Sequence, residues 1–380
     1  MNKNLTVNHN DLSWYDVNGE KIYNKAVAIE LAKGDLSKIN LKYMNDIWDT
    51  VDWTSEPIGS WEELCKQRAL QIREKYPYVA LWYTGGYDSD TILKTFIKNK
   101  ILLDEIVIID KSQLYYDIGT TFAKNQAKYV KENYYPNLNL NIIEKDFNST
   151  INVYKTMKED WFYNTIGSTS RFSKTNKFFY LSDSNILTKL VNFDNRADVM
   201  GHEKTKVFLH DNKWFTFFPD INLSNYVGCK SEDFYIHKDF LELNIKQTHN
   251  TIRWFESLPD ISSELVHLIQ GKDMTLNGPY TRYYAEWNIN MGRYPLDKND
   301  YASTNGLQKF NYSDDVDSKD SIKMLEYTKK HEQQIYKMFM NGLDRIKKIN
   351  NQSANLGINP TIISKPYFVK DFKKNILTYQ

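Results

Sequence analysis

The sequence predicts an α/β protein with a doubly wound, mainly parallel sheet. Three observations indicate this fold: short apolar runs typical of buried strands recur along the chain, amphipathic helical patterns alternate with them, and two adjacent glycines join one such strand to its helix. This alternation is the pattern of parallel sheets covered by helices. We expect this domain at residues 76–220, after an N-terminal extension at residues 1–75 and before a largely helical C-terminal domain at residues 221–380.

The individual strands and helices follow from hydrophobic periodicity. The first predicted strand, residues 79–83, is a continuous apolar run, as expected for a strand buried on both faces. Mainly apolar segments predict three further strands at residues 106–109, 140–143 and 197–200. The predicted helices repeat apolar residues every three or four positions, and they cover residues 61–74, 92–97, 118–130, 151–161 and 186–191. The first of these helices leads into the first strand, and the alternation starts there.

The pattern changes after the fourth predicted strand. Residues 206–218 form two β-rich arms around the turn sequence HDNK, which predicts an antiparallel hairpin attached to the edge of the sheet. The α/β domain is therefore expected to end near residue 220. Further on, residues 321–348 have the pattern of a long helix that breaks or ends near Gly342.

Composition limits the class of protein. The chain has 380 residues, 41% of them hydrophobic, and a net charge of +1, so nucleic-acid binding is possible but is not indicated by the charge. The only cysteines, Cys65 and Cys229, lie far apart, which excludes a disulfide framework and a cysteine zinc site. Because there is no apolar signal segment or membrane-spanning run, we expect a cytoplasmic protein without membrane association. The richness in Asn, Lys, Ile and Tyr fits an AT-rich genome, and the location would be the host cytoplasm if the source is viral.

Gly85 and Gly86 lie directly between the first predicted strand and its helix. A helix N-terminus presents backbone N–H groups that no carbonyl of the helix accepts, and the helix dipole makes this end positive, which suits a phosphate. Glycines let phosphate oxygens come close to the backbone. The loop lacks the GxxxxGK[ST] spacing of a Walker loop and the third glycine of the dinucleotide motif GxGxxG. A glycine turn that serves packing alone is the alternative.

The loop TGGYDS resembles the SGGxDS motif of the PP-loop ATP pyrophosphatase (adenine nucleotide alpha hydrolase-like) superfamily, which includes GMP synthetase, asparagine synthetase, tRNA lysidine synthase, thiouridine synthases and PAPS reductases. The resemblance covers residues 76–220 and implies that the loop binds the β- and γ-phosphates of ATP, which leave as pyrophosphate. The residues carried over are Thr84, Gly85, Gly86, Tyr87, Asp88 and Ser89. Asp88 would act in catalysis, by holding Mg²⁺ or by fixing the loop. Thr84 replaces the first serine of the motif and keeps a hydroxyl.

Residues after two further strands complete the predicted site, because ligands of open α/β sheets lie at the carboxyl ends of the strands. Asp110 and Lys111 follow the second predicted strand, near which members of the superfamily bind adenine and ribose, and Asp110 would accept from a ribose hydroxyl. Gly201 and Lys204 follow the fourth, and Lys204 would stabilise charge on the α-phosphate during catalysis. The alternatives are a capping or turn aspartate and a solvated lysine.

Three further features have a functional and a structural interpretation. His202 and Glu203 are candidate acid–base residues, and a structural histidine is the alternative. Cys229 is a candidate sulfur carrier, but no dedicated cysteine motif surrounds it, and a packed thiol is the alternative. Residues 281–295 combine Arg, Tyr and Trp, a composition that can stack bases and contact phosphates or can pack in a core.

The resemblance implies an ATP-dependent adenylating enzyme with Mg²⁺. A carboxylate or carbonyl oxygen of an unidentified second substrate would attack the α-phosphorus, and AMP and pyrophosphate would form as the substrate is activated for amide, amine or sulfur transfer. A PAPS reductase-like sulfonucleotide enzyme is the runner-up, although its C-terminal catalytic cysteine motif is missing. A non-catalytic nucleotide-binding or assembly protein is the alternative from another class, and an oligomer is compatible with all three.

Overall fold

The computed structural model describes residues 13–22, 25–110, 118–144, 195–201, 206–218, 231–263, 265–266, 326–338, 340–341, 348 and 362–372. Within these residues the strands form three sheets: an N-terminal sheet, a central parallel sheet and a third sheet that contains the C-terminal strand. No helix among them is long and apolar enough to cross a membrane.

The N-terminal extension forms a small antiparallel sheet of its own. Strand β1 (Ser13–Val17) lies between β2 (Glu20–Ile22) and β3 (Ile39–Tyr43). Helix α1 (Lys25–Leu31) packs on this sheet, and α2 (Asn45–Trp48) follows it. Buried residues occupy alternate positions of both strands, so one face of the sheet is buried: Tyr15 and Val17 in β1, and Ile39, Leu41 and Tyr43 in β3.

The central sheet has five parallel strands, which confirms the predicted α/β fold. These are β4 (Tyr78–Trp82), β5 (Glu105–Asp110), β6 (Asn139–Glu144), β7 (Arg196–Met200) and β10 (Ser231–Asp233). Their order in the sheet is β10-β7-β4-β5-β6, and every neighbouring pair is parallel. The first four coincide with the predicted strands. Because β10 belongs to the same sheet, the sheet extends beyond residue 220, where its domain was expected to end.

Three helices alternate with these strands. Helix α3 (Trp61–Lys75) precedes β4, α4 (Tyr87–Lys98) joins β4 to β5, and α5 (Ile118–Asn133) joins β5 to β6. Helix α3 begins in a capping box, in which Ser60 Oγ accepts from the Glu63 N–H and the Glu63 carboxylate accepts from the Ser60 N–H. The predicted helices at residues 151–161 and 186–191 lie outside the described residues, so the second helical layer of a doubly wound sheet stays a prediction.

The predicted hairpin is confirmed, but its predicted attachment is wrong. Strands β8 (Lys206–His210) and β9 (Lys213–Phe217) pair antiparallel around Asp211 and Asn212, which both have positive φ. Instead of joining the edge of the parallel sheet, β9 pairs with the C-terminal strand β11 (Tyr367–Asp371). The inner face of this third sheet packs on α6 (Glu242–Glu256), where Trp214 stacks on Phe255.

The described residues after residue 220 are not all helical. They include β10, α6 and β11, together with helical residues at 326–331 and 333–338 inside the predicted long helix. Most other residues of this part lie outside the described ranges, and with them residues 281–295 and Cys229. The largely helical C-terminal domain therefore stays a prediction.

Candidate functional site

The glycine loop lies where the strand order of the parallel sheet reverses. Along the chain the sheet grows from β4 to β5 and β6 on one side, and then to β7 and β10 on the other. Ligands of open α/β sheets bind in the crevice outside the carboxyl ends of the strands at such a reversal. Thr84 follows β4 by one residue, and Gly201 directly follows β7. The fold thus brings these two predicted segments together at one end of neighbouring strands.

The two glycines of the loop have different conformations. Gly85 is buried and has φ of +70°, in the left-handed region that side chains with a Cβ rarely adopt. Gly86 has φ of −79° and ψ of 164°, an extended conformation that any residue can adopt. The backbone conformation therefore explains why residue 85 is a glycine. It does not explain the glycine at position 86, which would be explained by a ligand that approaches the backbone closely.

Helix α4 begins at the loop without a side-chain cap. Gly86 is its N-cap residue, so no side chain of the N-cap residue accepts a hydrogen bond from the first turn. The Thr84 N–H donates to Ser89 Oγ over 3.3 Å, and Ser89 Oγ donates to the Gly86 carbonyl over 3.1 Å. The Gly86 N–H donates to Thr84 Oγ1 over 3.3 Å. These bonds are long, and an anionic phosphate oxygen would be a stronger acceptor than either hydroxyl.

Asp88 is held from two strands. A Cβ added to Gly201 would lie 3.0 Å from Asp88 Cβ and 3.0 Å from Ile92 Cδ1, so the end of β7 touches the first turns of α4. The Tyr235 hydroxyl, two residues after β10, donates to the Asp88 carbonyl over 2.8 Å. Burial, and then the nearby Asp88 charge, raise the pKa of Tyr235 well above its usual value, so this hydroxyl keeps its proton. The helix start is therefore fixed against β7 and β10.

A buried charged pair lies on α4 behind the loop. Lys94 Nζ is 2.9 Å from Asp90 Oδ2, and both side chains are almost completely buried. The hydroxyl of Tyr83, the residue before Thr84, donates to Asp90 Oδ1 over 2.9 Å. Sequence reasoning missed this group, although an acid and a base four positions apart in a predicted helix are a usable signal. Its contacts join the last residue before the loop to the second turn of the helix.

The remaining predicted residues have mixed outcomes. Asp110 is buried at the end of β5, and Lys124 Nζ of α5 lies 2.6 Å from its Oδ2. A ribose hydroxyl would therefore share this carboxylate with a lysine. Lys111 and Lys204 lie outside the described residues, as do His202 and Glu203. The structure brings Gly201 to the loop, and the roles of Asp110, Lys111 and Lys204 stay predictions.

A second polar group, on the opposite face of the sheet from α4, was missed. Arg196 NH1 lies 2.8 Å from Glu105 Oε2, and its NH2 lies 2.8 Å from Asp198 Oδ1. The Trp82 indole N–H also donates to Asp198 Oδ1, over 3.1 Å. Burial lowers the pKa of Arg196, but the bonds to Asp198 and Glu105 outweigh it and raise the pKa. This network links three neighbouring strands, and its sequence signal is a set of opposite charges in or directly before two predicted strands.

A third group surrounds Glu232 of β10. Its carboxylate accepts from Arg68 of α3 over 2.8 Å and from the Tyr76 hydroxyl over 2.6 Å, and His237 Nε2 lies 3.0 Å away. Burial raises the pKa of Glu232, but the bonds from His237, Tyr76 and Arg68 together hold it well below its usual range. The Asp239 N–H donates to His237 Nδ1, so the proton of the neutral ring is on Nε2 and faces Glu232. This group anchors β10 to α3.

Within the described part of the chain, no group of three or more His, Cys, Asp or Glu side chains is placed to hold a metal ion. Magnesium at the loop would therefore need phosphate oxygens besides the Asp88 carboxylate, which is its usual mode of binding with nucleotides. No protein-family model and no curated protein matches this chain. The function must accordingly be argued from the site.

Proposed function

We propose that this protein is an adenylating enzyme similar to the PP-loop ATP pyrophosphatases, with ATP bound at the loop from Thr84 to Ser89. The observation that carries the proposal is the position of the loop. It opens α4 at the carboxyl end of β4, where the strand order reverses, and Gly201 of the neighbouring strand lies against it. This is the place at which open α/β sheets bind their ligands.

The residues present fit the terminal phosphates of a nucleotide. The uncapped N-terminus of α4 offers backbone N–H groups at the positive end of the helix dipole. Thr84 and Ser89 add hydroxyls, whose present bonds to the loop are 3.1 to 3.3 Å long. The extended backbone at position 86 does not require glycine. A phosphate that approaches this backbone closely would explain why the residue is a glycine.

The expected roles of the site residues follow from this placement. Residues Thr84 to Ser89 would hold the pyrophosphate that leaves, and Asp88 would take part in holding Mg²⁺, which neutralises phosphate charge when bound. Lys204 would stabilise charge on the α-phosphate, and Asp110 with Lys111 would face the ribose and adenine. Positioning and electrostatic stabilisation supply most of the rate in such a mechanism. Helices on the second face of the sheet, from the connection between β6 and β7, would complete the doubly wound fold in the cytoplasmic enzyme.

The experiment is to incubate the protein with labelled ATP, Mg²⁺ and candidate acceptors, namely amino acids, nucleic acid and cell extract, and to separate the products. We expect AMP and pyrophosphate, because the loop has no Walker lysine and resembles one that holds the two terminal phosphates as a leaving unit. ADP as the main product would refute adenylation. Binding without any product would favour the non-catalytic alternative, and turnover of a sulfonucleotide instead of ATP would favour the reductase-like one.

Two variants locate the activity. Gly86→Val should abolish ATP binding in calorimetry while the fold is retained, since valine fits the extended backbone at this position. Lys204→Ala should lower turnover more than ATP affinity if this lysine acts on the transition state. Undiminished ATP binding by Gly86→Val would place the nucleotide elsewhere.

A further inference from the structure

The outer face of the third sheet carries aromatic side chains where polar ones are usual. In an antiparallel sheet with one buried face, the other face normally has polar residues. Here the inner positions are filled by buried residues such as Val207, Trp214 and Val369. The outer positions of the same strands carry Phe208, Phe215, Phe217 and Phe368, which we call the phenylalanine face.

The four rings form one continuous surface across three strands. Phe208 and Phe215 are directly paired residues, and their ring centroids lie 5.2 Å apart. Phe217 stands edge-on to Phe208 at 5.7 Å, and Phe368 stands edge-on to Phe215 at 5.9 Å. Phe368 is 40% exposed, and the other three are partly exposed. A contiguous patch of partly exposed aromatic side chains is typical of binding surfaces.

Basic side chains lie at both ends of the face. Lys206, on the edge strand β8, is paired with Phe217 at one end, and Lys213, on the middle strand β9, is paired with His210 at the other end. The acidic residues nearby lie at the rim: Asp211 in the turn, beside His210, and Asp371 opposite Lys213. Rings in the centre with a lysine at either end suit a ligand that has flat apolar groups along an anionic backbone.

We propose that the phenylalanine face binds single-stranded nucleic acid, with bases stacked on the rings and phosphates near Lys206 and Lys213. Exposed aromatic residues on an antiparallel sheet stack unpaired bases in known RNA-binding modules, and every base offers a flat face for this. A second copy of the chain fits less well, because it would offer the lysines only carboxylates such as Asp211 and Asp371 instead of a regularly spaced anionic backbone. The proposal is independent of ATP binding at the loop.

Fluorescence anisotropy with the full-length protein tests the proposal. The probes are labelled oligothymidylate and oligouridylate of about 12 nucleotides, a length within the usual span of such sites. We expect saturable binding to both probes, and weaker binding to a duplex of the same length. Phe368→Ala should weaken binding at least about 5-fold, the lower end of the effect of losing one stacked base. Lys213→Ala should reduce the salt dependence of the affinity by about one counterion.

The controls separate stacking from other effects. Tyr327→Ala removes an aromatic residue of similar exposure, 38%, outside the face and should leave binding unchanged. Phe368→Trp should retain binding and Phe368→Leu should weaken it about as much as Phe368→Ala, since leucine keeps apolar area but offers no ring. The proposal is overturned if the wild-type protein binds no probe or if Phe368→Leu binds normally. It also fails if ATP or Gly86→Val removes the binding, or if the face instead drives self-association in sedimentation.

Discussion

Gly201→Ala should loosen the start of α4 and weaken nucleotide binding together. Gly201 directly follows β7 and lies against the first turns of α4. The new methyl carbon would lie 3.0 Å from Asp88 Cβ, 3.0 Å from Ile92 Cδ1 and 3.2 Å from the Asp88 carbonyl carbon. Carbon atoms at their best separation are about 3.5 to 4.0 Å apart. The helix start would therefore have to move away from β7 by several tenths of an ångström.

The size of both effects follows from this displacement. An extra methyl group in a well-packed contact costs about 1–3 kcal/mol of stability. The same movement draws the first N–H groups of α4 away from a phosphate held at the loop. Loss of one hydrogen bond to a charged group is worth about 1.5 kcal/mol at the low end, so we expect ATP to bind about tenfold more weakly.

Denaturant unfolding and calorimetry with ATP and Mg²⁺ measure the two effects. Gly19→Ala is the matched control, because Gly19 has φ of +82° and a Cβ there meets nothing within 4 Å. Its left-handed conformation makes alanine cost about 1–2 kcal/mol without touching α4. An unchanged stability of Gly201→Ala would refute the contact with Asp88. If Gly201→Ala loses stability but binds ATP as tightly as Gly19→Ala, the nucleotide does not bind at the start of α4.

Two other perturbations test the interior. Lys94→Met should lower the free energy of unfolding by about 3–5 kcal/mol, because it leaves the buried Asp90 without its ion-pair partner. The double variant Asp90→Leu/Lys94→Met should recover much of this stability in urea unfolding. If the losses of the two single variants simply add in the double variant, the two residues are not coupled. Burial lowers the pKa of His249 below 6.5, so the unfolded chain takes up the proton first and stability should fall as the pH drops below 6.5. In His249, Nε2 donates to the Trp53 carbonyl, so Nδ1 is the atom that would take up the proton. His249→Gln keeps an N–H donor but has no group that titrates, so it should remove this pH dependence of stability. An unaltered pH dependence would assign the effect to another group.

The central strands and helices are predictable because each is a local pattern. The mainly apolar segments in β4, β5, β6 and β7 and the periodic faces of α3, α4 and α5 each lie within a short stretch of sequence. Strand β10 has no such pattern, since its three residues are Ser, Glu and Asp. It forms because its backbone pairs with β7 and because Glu232 meets Arg68 of α3, 164 positions away in the chain. A contact over that separation leaves no periodic signal.

The same distinction holds for the candidate site. The loop from Thr84 to Ser89 is one continuous segment between a strand and a helix, and Gly201 follows from the rule that ligands lie at strand ends. The support of the loop is tertiary: Tyr235 reaches the Asp88 carbonyl from 147 positions away. The attachment of the hairpin was mispredicted because it is also tertiary. Its partner β11 comes about 150 positions later in the chain and is held by the inner side chains of the sheet.

An aromatic cluster joins the third sheet to the N-terminal extension. Phe218, next to the hairpin, lies 4.9 Å from Trp48 and 6.5 Å from Tyr367, which also packs on Trp53. The N-terminal extension, the hairpin and the C-terminal strand are thereby joined through their inner side chains, and α6 packs on the hairpin. The four rings of the phenylalanine face lie outside this cluster, where they add contacts between paired strands of the sheet. Because the second face of such a sheet normally carries polar residues, the partial exposure of these rings is what supports the proposed stacking of bases.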